Sequence, residues 1–265
     1  MDLLKIENLE KHFGGVAAVD GLSLDVRYDE ILGLIGPNGS GKTTVFNLIS
    51  GVHEPSEGHI YLRGSELHGK ARHEIVKMGI GRTFQGLRHF SKISVFDNIM
   101  VGCHCRTNSV LWTSFWGSIL KTKAFKKEQA GTREKALELM AFLGLTSYLD
   151  ELAENIPQFM QRRLDIGIAL ATEPSLLLLD EPAAGLNPTE TIQLDELINR
   201  IRTEKETSIF LIEHDMKLVM DICERIIVLN YGKKIAEGTP QEIQENEEVV
   251  EAYLGKESVD LVTFE

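Results

Sequence analysis

Residues 36–44 read GPNGSGKTT, directly after the apolar run ILGLI and directly before KTTVFNLISG, whose apolar spacing and closing Gly51 fit a capped helix. The stretch satisfies G-x-x-x-x-G-K-[ST] between a strand and a helix, the context that marks a phosphate-binding loop. Gly39 and Gly41 are expected to let backbone N–H groups turn inward around a β-phosphate, helped by the positive end of the helix. Lys42 supplies a point charge to the β and γ phosphates, Thr43 offers its hydroxyl to Mg²⁺, and Thr44 reaches the α-phosphate. Gly36, Asn38 and Ser40 complete the expected binding loop.

A phosphate loop needs a metal ligand and a group that handles the attacking water, and both follow downstream. LLLLDEP ends a continuous apolar run with Asp180, placed to hold Mg²⁺, and Glu181, placed to accept the proton of the water. SIFLIEHD is a second such run, and its His214 is expected to donate a hydrogen bond to the γ-phosphate and sense its presence. Gln85, in GRTFQGL, stands at a strand end, where its amide can reach Mg²⁺ or the water.

The runs SLLLLDEP and TSIFLIEHD have the pattern of strands buried on both faces of a parallel sheet, with TETIQLDELINRIRTE as the helix between them. LLKIENL and LSLDVRYDEILGLIG alternate as strands do, with Gly14-Gly15 as a turn, and lead into a buried strand at ILGLIG. The expected fold class is therefore α/β: a P-loop NTPase core with a mainly parallel sheet, an N-terminal antiparallel β layer and a helical lobe. Residues 1–96 and 165–240 form the core in this reading, 97–164 the lobe, and 241–265 an acidic helical tail.

Lys+Arg 28 against Asp+Glu 40 leaves a net charge of −12, which speaks against nucleic acid as partner. MDLLKIENLE lacks the apolar core of a signal peptide, and no apolar stretch approaches the ~18 residues of a membrane span. Cys103, Cys105 and Cys223 lack the second ligand pair of a zinc site and read as reduced thiols of a cytosolic protein.

GPNGSGKTT, GRTFQ, LLLLDEPAAGLNP and LIEHD, in this order, resemble the ATP-binding cassette ATPases of ABC transporters over nearly the whole chain. RTFQ, the long helical insert, QRRLDIGIALATEP, DEPAAGLNPTET, LIEHDMKLVM and the ending GTPQEI…AYLG are most similar to the LivG-type ATPase of branched-chain amino acid importers. The resemblance implies ATP and Mg²⁺ as cofactors and adenine stacking on Phe13. It makes Gln85 the Q-loop residue, 183–187 the D-loop and His214 the switch histidine, with Asn187 where the D-loop normally has aspartate. It also implies a head-to-tail pair with a second ATPase subunit, a paralogue in the LivG case. The further partners it implies are membrane permease subunits and, indirectly, a periplasmic solute-binding protein. The chain would sit peripherally on the cytoplasmic face of the inner membrane.

The helix that should cover the partner's ATP begins IPQFMQRR instead of with an LSGGQ-like signature, and Phe159 stands where the second glycine is expected. A bulky side chain there is expected to obstruct the partner's γ-phosphate, impairing one of the two composite sites if the pair is heteromeric and both if it is a homodimer. The insert residues Trp112, Phe115, Trp116, Ile119 and Leu120 have helical spacing and suit a lobe core or a docking face, and Lys121, Lys123, Lys126 and Lys127 a solvated face. Two other readings share the motifs. A cassette acting on nucleic acid or ribosomes usually carries two cassettes, a coiled coil or a zinc hook, which this chain lacks, and a non-catalytic cassette conflicts with an intact Glu181 and His214. The transported solute is not written in these residues.

Overall fold

The computed structural model describes residues 2–83, 89–104 and 123–254. Gln85, Cys105, Trp112, Phe115, Trp116, Ile119, Leu120 and Lys121 lie outside them. The first alternating stretch forms the antiparallel pair β1 (Asp2–Phe13) and β2 (Val16–Arg27), turned at Gly14 and Gly15. Strand β3 (Ile31–Ile35) runs into the phosphate loop and helix α1 (Lys42–Ile49). Strands β4 (Glu57–Leu62) and β5 (Ser65–Glu66) extend the antiparallel layer to the order β2-β1-β4-β5. Helix α2 (Arg72–Met78) and strand β6 (Ile80–Arg82) follow.

Then come the helices α3 (Val95–His104), α4 (Lys123–Phe142) and α5 (Gln158–Leu170). The chain resumes its α/β alternation with β7 (Leu176–Asp180), α6 (Pro188–Lys205), β8 (Ser208–Ile212), α7 (Met216–Ile222) and β9 (Arg225–Asn230). It ends in β10 (Lys233–Gly238), α8 (Pro240–Gln244) and α9 (Glu247–Leu254).

The second sheet has the order β10-β9-β3-β8-β7-β6, in which β3 is parallel to β8 and β9 and β7 to β8, while β10 is antiparallel to β9. Every residue of β3, β7 and β8 is buried, which is why these strands are uninterrupted apolar runs in the sequence. Helix α1 and the antiparallel layer share one apolar core with this sheet. Phe46 of α1 meets Phe210 of β8 with ring centroids 5.1 Å apart and planes tilted by 59°. Because β3, β8 and β7 are consecutive neighbours, their carboxyl ends lie side by side, at the edge where open α/β sheets bind ligands.

The chain divides into two compact units, Met1–Ile80 with Ser175–Glu265, and Gly81–Pro174. The sequence places the lobe at 97–164, narrower than the second unit at both ends. Before α3, the buried Asn98 accepts the Phe90 N–H at 2.8 Å and donates to the Phe90 and Ser94 carbonyls at 3.0 and 2.9 Å, tying this segment to the helix. At the other end α5 continues to Leu170 as a single helix of that unit. The acidic tail counts with the first unit, where α9 buries Val249.

Candidate functional site

Three strand ends supply the site. After β3 the loop is folded by glycines, for different reasons. A Cβ on Gly36 would lie 2.0 Å from the Leu229 carbonyl oxygen and one on Gly41 2.3 Å from that of Ala18, so both are held by close backbone packing. Gly39 has φ +79 with open space around its missing Cβ, so its demand is conformational and its surroundings stay accessible. Asn38 beside it is exposed; Ser40 is buried, its N–H donating to the Pro37 carbonyl at 3.2 Å and its carbonyl accepting from Gly232 at 2.9 Å. The loop is therefore pinned from behind by the β9–β10 turn.

Helix α1 starts at Lys42 with Gly41 as N-cap, no side-chain cap and no acid in its first turn. Its positive end is left for an anion. The Lys42 ammonium is buried and donates to the Gly36 and Pro37 carbonyls at 2.7 and 3.0 Å. Burial pushes its pKa down, against the raising pull of Glu181 and Asp180. That pull puts both carboxylates in electrostatic reach of the lysine. The first-turn hydroxyls Thr43 and Thr44 are exposed and half-buried.

After β7, Asp180 is buried at the strand end and Glu181 takes a left-handed backbone, φ 49. That conformation is uncommon for a non-glycine residue. The Glu181 N–H donates to the Ile212 carbonyl at 2.9 Å, which ties the turn to β8. From the end of β8, His214 brings Nε2 to 3.0 Å from Glu181 Oε1. Two side chains 33 residues apart thus form one unit beside the loop.

Phe13 ends β1 half-exposed, with His53 packed edge-on at 5.3 Å and the Lys11 ammonium 5.3 Å from the ring centre. Asn187, where an aspartate was expected, is the N-cap of α6. Its side chain accepts from the Thr189 and Glu190 N–H groups at 3.0 Å, Glu190 reaches back to the Asn187 N–H, and Pro188 opens the helix. Asn caps as well as Asp, so the change removes a charge and keeps the joint. Gln85 lies outside the described residues.

Phe159 stands in the first turn of α5. Its side chain is 5% exposed and its ring lies under the Arg163 guanidinium, 4.6 Å from centroid to carbon. The ring is buried, whereas Pro157 and Gln158 at the start of α5 are exposed. Gln161 closes the turn by donating to the Ile156 carbonyl at 2.8 Å.

Two residues of this region escaped the sequence reading. Glu213, 3% exposed, accepts backbone N–H groups from both the Ala183 and the His214 turns. Tyr253 of α9 meets the Gly36 N–H, with burial pushing its phenol pKa up against that contact. Cys223 is buried with its sulfur against Gly33, and Cys103 is half-buried.

Parallel sheet, glycine-folded loop, buried lysine and adjoining carboxylates define a P-loop nucleoside triphosphatase. Comparison with known proteins narrows this. The family model "ABC transporter" matches residues 19–184, and the model "Branched-chain amino acid ATP-binding cassette transporter" matches 233–259. The chain is 46% identical over 254 residues to the high-affinity branched-chain amino acid transport ATP-binding protein LivG of Salmonella typhimurium, covering 96% of this chain and 98% of that one. It is 41% identical, with the same coverage, to BraF of Pseudomonas aeruginosa, which carries the same description. The crystal structure of the ADP conformation of an ATP-binding cassette of an ABC transporter superposes with a TM-score of 0.83 at 31% identity, covering 97% of this chain and all of that one. The chain belongs to the ABC transporter family of ATP-hydrolysing, nucleotide-binding subunits, in the group of LivG and BraF.

Proposed function

We propose that this chain is the ATP-hydrolysing subunit of an importer of branched-chain amino acids, driving uptake through partner permeases. The observation that carries the solute class is the match of 233–259 to the branched-chain amino acid cassette model, beyond the general ABC match. The site supports the catalytic part. The loop N–H groups and Lys42 would hold the β and γ phosphates, Phe13 would stack on adenine, and Thr44 would reach the α-phosphate. Thr43 and Asp180, one hydroxyl and one buried carboxylate, suit Mg²⁺, which takes few protein ligands and keeps phosphate and water oxygens. Bound there, the ion would neutralise charge on the phosphate oxygens. Glu181 would accept the proton of the attacking water, and His214 would orient that carboxylate and the γ-phosphate; Gln85 would complete the water and metal shell.

The partners of this reading are membrane permease subunits, a paralogous ATPase subunit that completes the two-site dimer, and a solute-binding protein acting through the permease. No helix among the described residues is long and apolar enough to cross a membrane, which fits a subunit attached peripherally at the cytoplasmic face. The test is purification of the native complex through a tag on this chain. Membrane permease polypeptides and a second cassette ATPase in the eluate support the reading; a chain that elutes alone from gently solubilised membranes contradicts it.

A further inference from the structure

Glu213 follows a strand, SIFLI, in which every residue is buried, and it is itself 3% exposed. A carboxyl group in such a place is costly unless its oxygens are hydrogen-bonded. They are, and by two separate turns. Oε1 accepts the Ala183 N–H at 2.7 Å, Oε2 accepts the His214 N–H at 3.0 Å, and the Asp215 N–H stands at 3.5 Å. Burial pushes the carboxyl's pKa up while these N–H groups pull it down.

Ala183 lies two residues beyond Glu181, and its segment runs to Asn187, the N-cap of α6. His214 lies between Glu213 and Asp215, and Asp215 caps α7 by accepting from Lys217 and Leu218 at 3.0 and 3.2 Å. The histidine backbone is thus fixed on both sides. We propose that Glu213 is a positioning residue: one carboxylate holds the turn behind Glu181 and the turn that carries His214, sets the 3.0 Å approach of His214 to Glu181, and makes the two turns shift as one. This rests on the reading of Glu181 and His214 as the hydrolytic pair. No bond is made or broken at Glu213; it acts through His214.

Glu213→Gln keeps the shape but leaves one acceptor oxygen for two N–H donors, and because the amide can flip, each turn loses its acceptor in one of the two orientations. Hydrogen exchange of the full-length chain reads this without any activity. Peptides spanning 181–187 and 213–216 should both exchange faster in the variant by about tenfold, the scale of one hydrogen bond, while the phosphate-loop peptide is unchanged. Unchanged exchange, or acceleration in one turn only, overturns the coupling.

ATP turnover supplies the second readout. In Glu213→Gln, kcat should fall by about tenfold with KM for ATP within about twofold, and the substitution should cost nothing further in a His214→Ala background. Additive losses, or a loss that follows a lowered Tm, overturn it. Should Glu213→Gln fail to fold, Glu213→Asp keeps both oxygens one methylene short and should show the same signature more weakly. A wild type without turnover contradicts the ATPase reading of the site, and the exchange measurement still decides the coupling.

Discussion

Glu181 combines three properties seldom found together: a left-handed backbone, a histidine at 3.0 Å and an electrostatic link to a buried lysine. Removing its charge with Glu181→Gln should lower kcat by about 10²–10⁴-fold, the range of a general base, with nucleotide affinity retained in an equilibrium binding assay. Lys42→Ala should do the reverse in kind, weakening ATP binding itself, because it removes the one side-chain cation of the loop. Residues of this sort are legible in a sequence because their chemistry fixes both their type and their spacing. Glu213 is not, since a glutamate beside a histidine at a strand end reads as a solvated charge until the Ala183 turn is seen against it. Phe159 is a related case: its place at a helix start is legible, but its burial and its contact with Arg163 are not.

At the scale of elements, α6 and α7 carry an unrelieved electrostatic conflict. Burial first, then the charges of Asp221, Asp215 and Glu213, push the Asp195 carboxyl up to about 6, with Lys217 opposing. An acid whose folded pKa is raised stabilises the fold fully below its unfolded value, near 3.8, and that contribution is lost as pH rises through about 6. Asp195→Asn should therefore raise Tm at pH 7.5 and leave it nearly unchanged at pH 3.5. Parallel melting curves at the two pH values would count against this account. The elements themselves follow from the sequence wherever periodicity and burial agree, as in β3, β7 and β8. The lobe boundary does not, because the hydrogen bonds of Asn98 that recruit the segment before α3 leave no periodic trace.

Across the whole of the first unit, Arg225 joins parts that the sequence keeps far apart. Its guanidinium bonds Glu30 at 2.8 and 3.0 Å and both the carbonyl and the carboxylate of Asp25 at 2.8 and 3.0 Å, and it also pairs with Glu237. Antiparallel layer, central sheet and β10 meet there. Arg225→Ala should cost about 3–5 kcal/mol in chemical denaturation, because it leaves Glu30 buried without its cation. The architecture thus delivers a braced phosphate loop and a coupled Glu181–His214 pair, and the group of LivG and BraF supplies the transport context. The most direct test of that joint claim is ATP-driven leucine uptake into vesicles reconstituted with the complex purified through this chain. The account predicts uptake with wild type and none with Glu181→Gln at equal assembly. Uptake that survives the substitution, or a wild-type complex that hydrolyses ATP without accumulating any branched-chain amino acid, would contradict it.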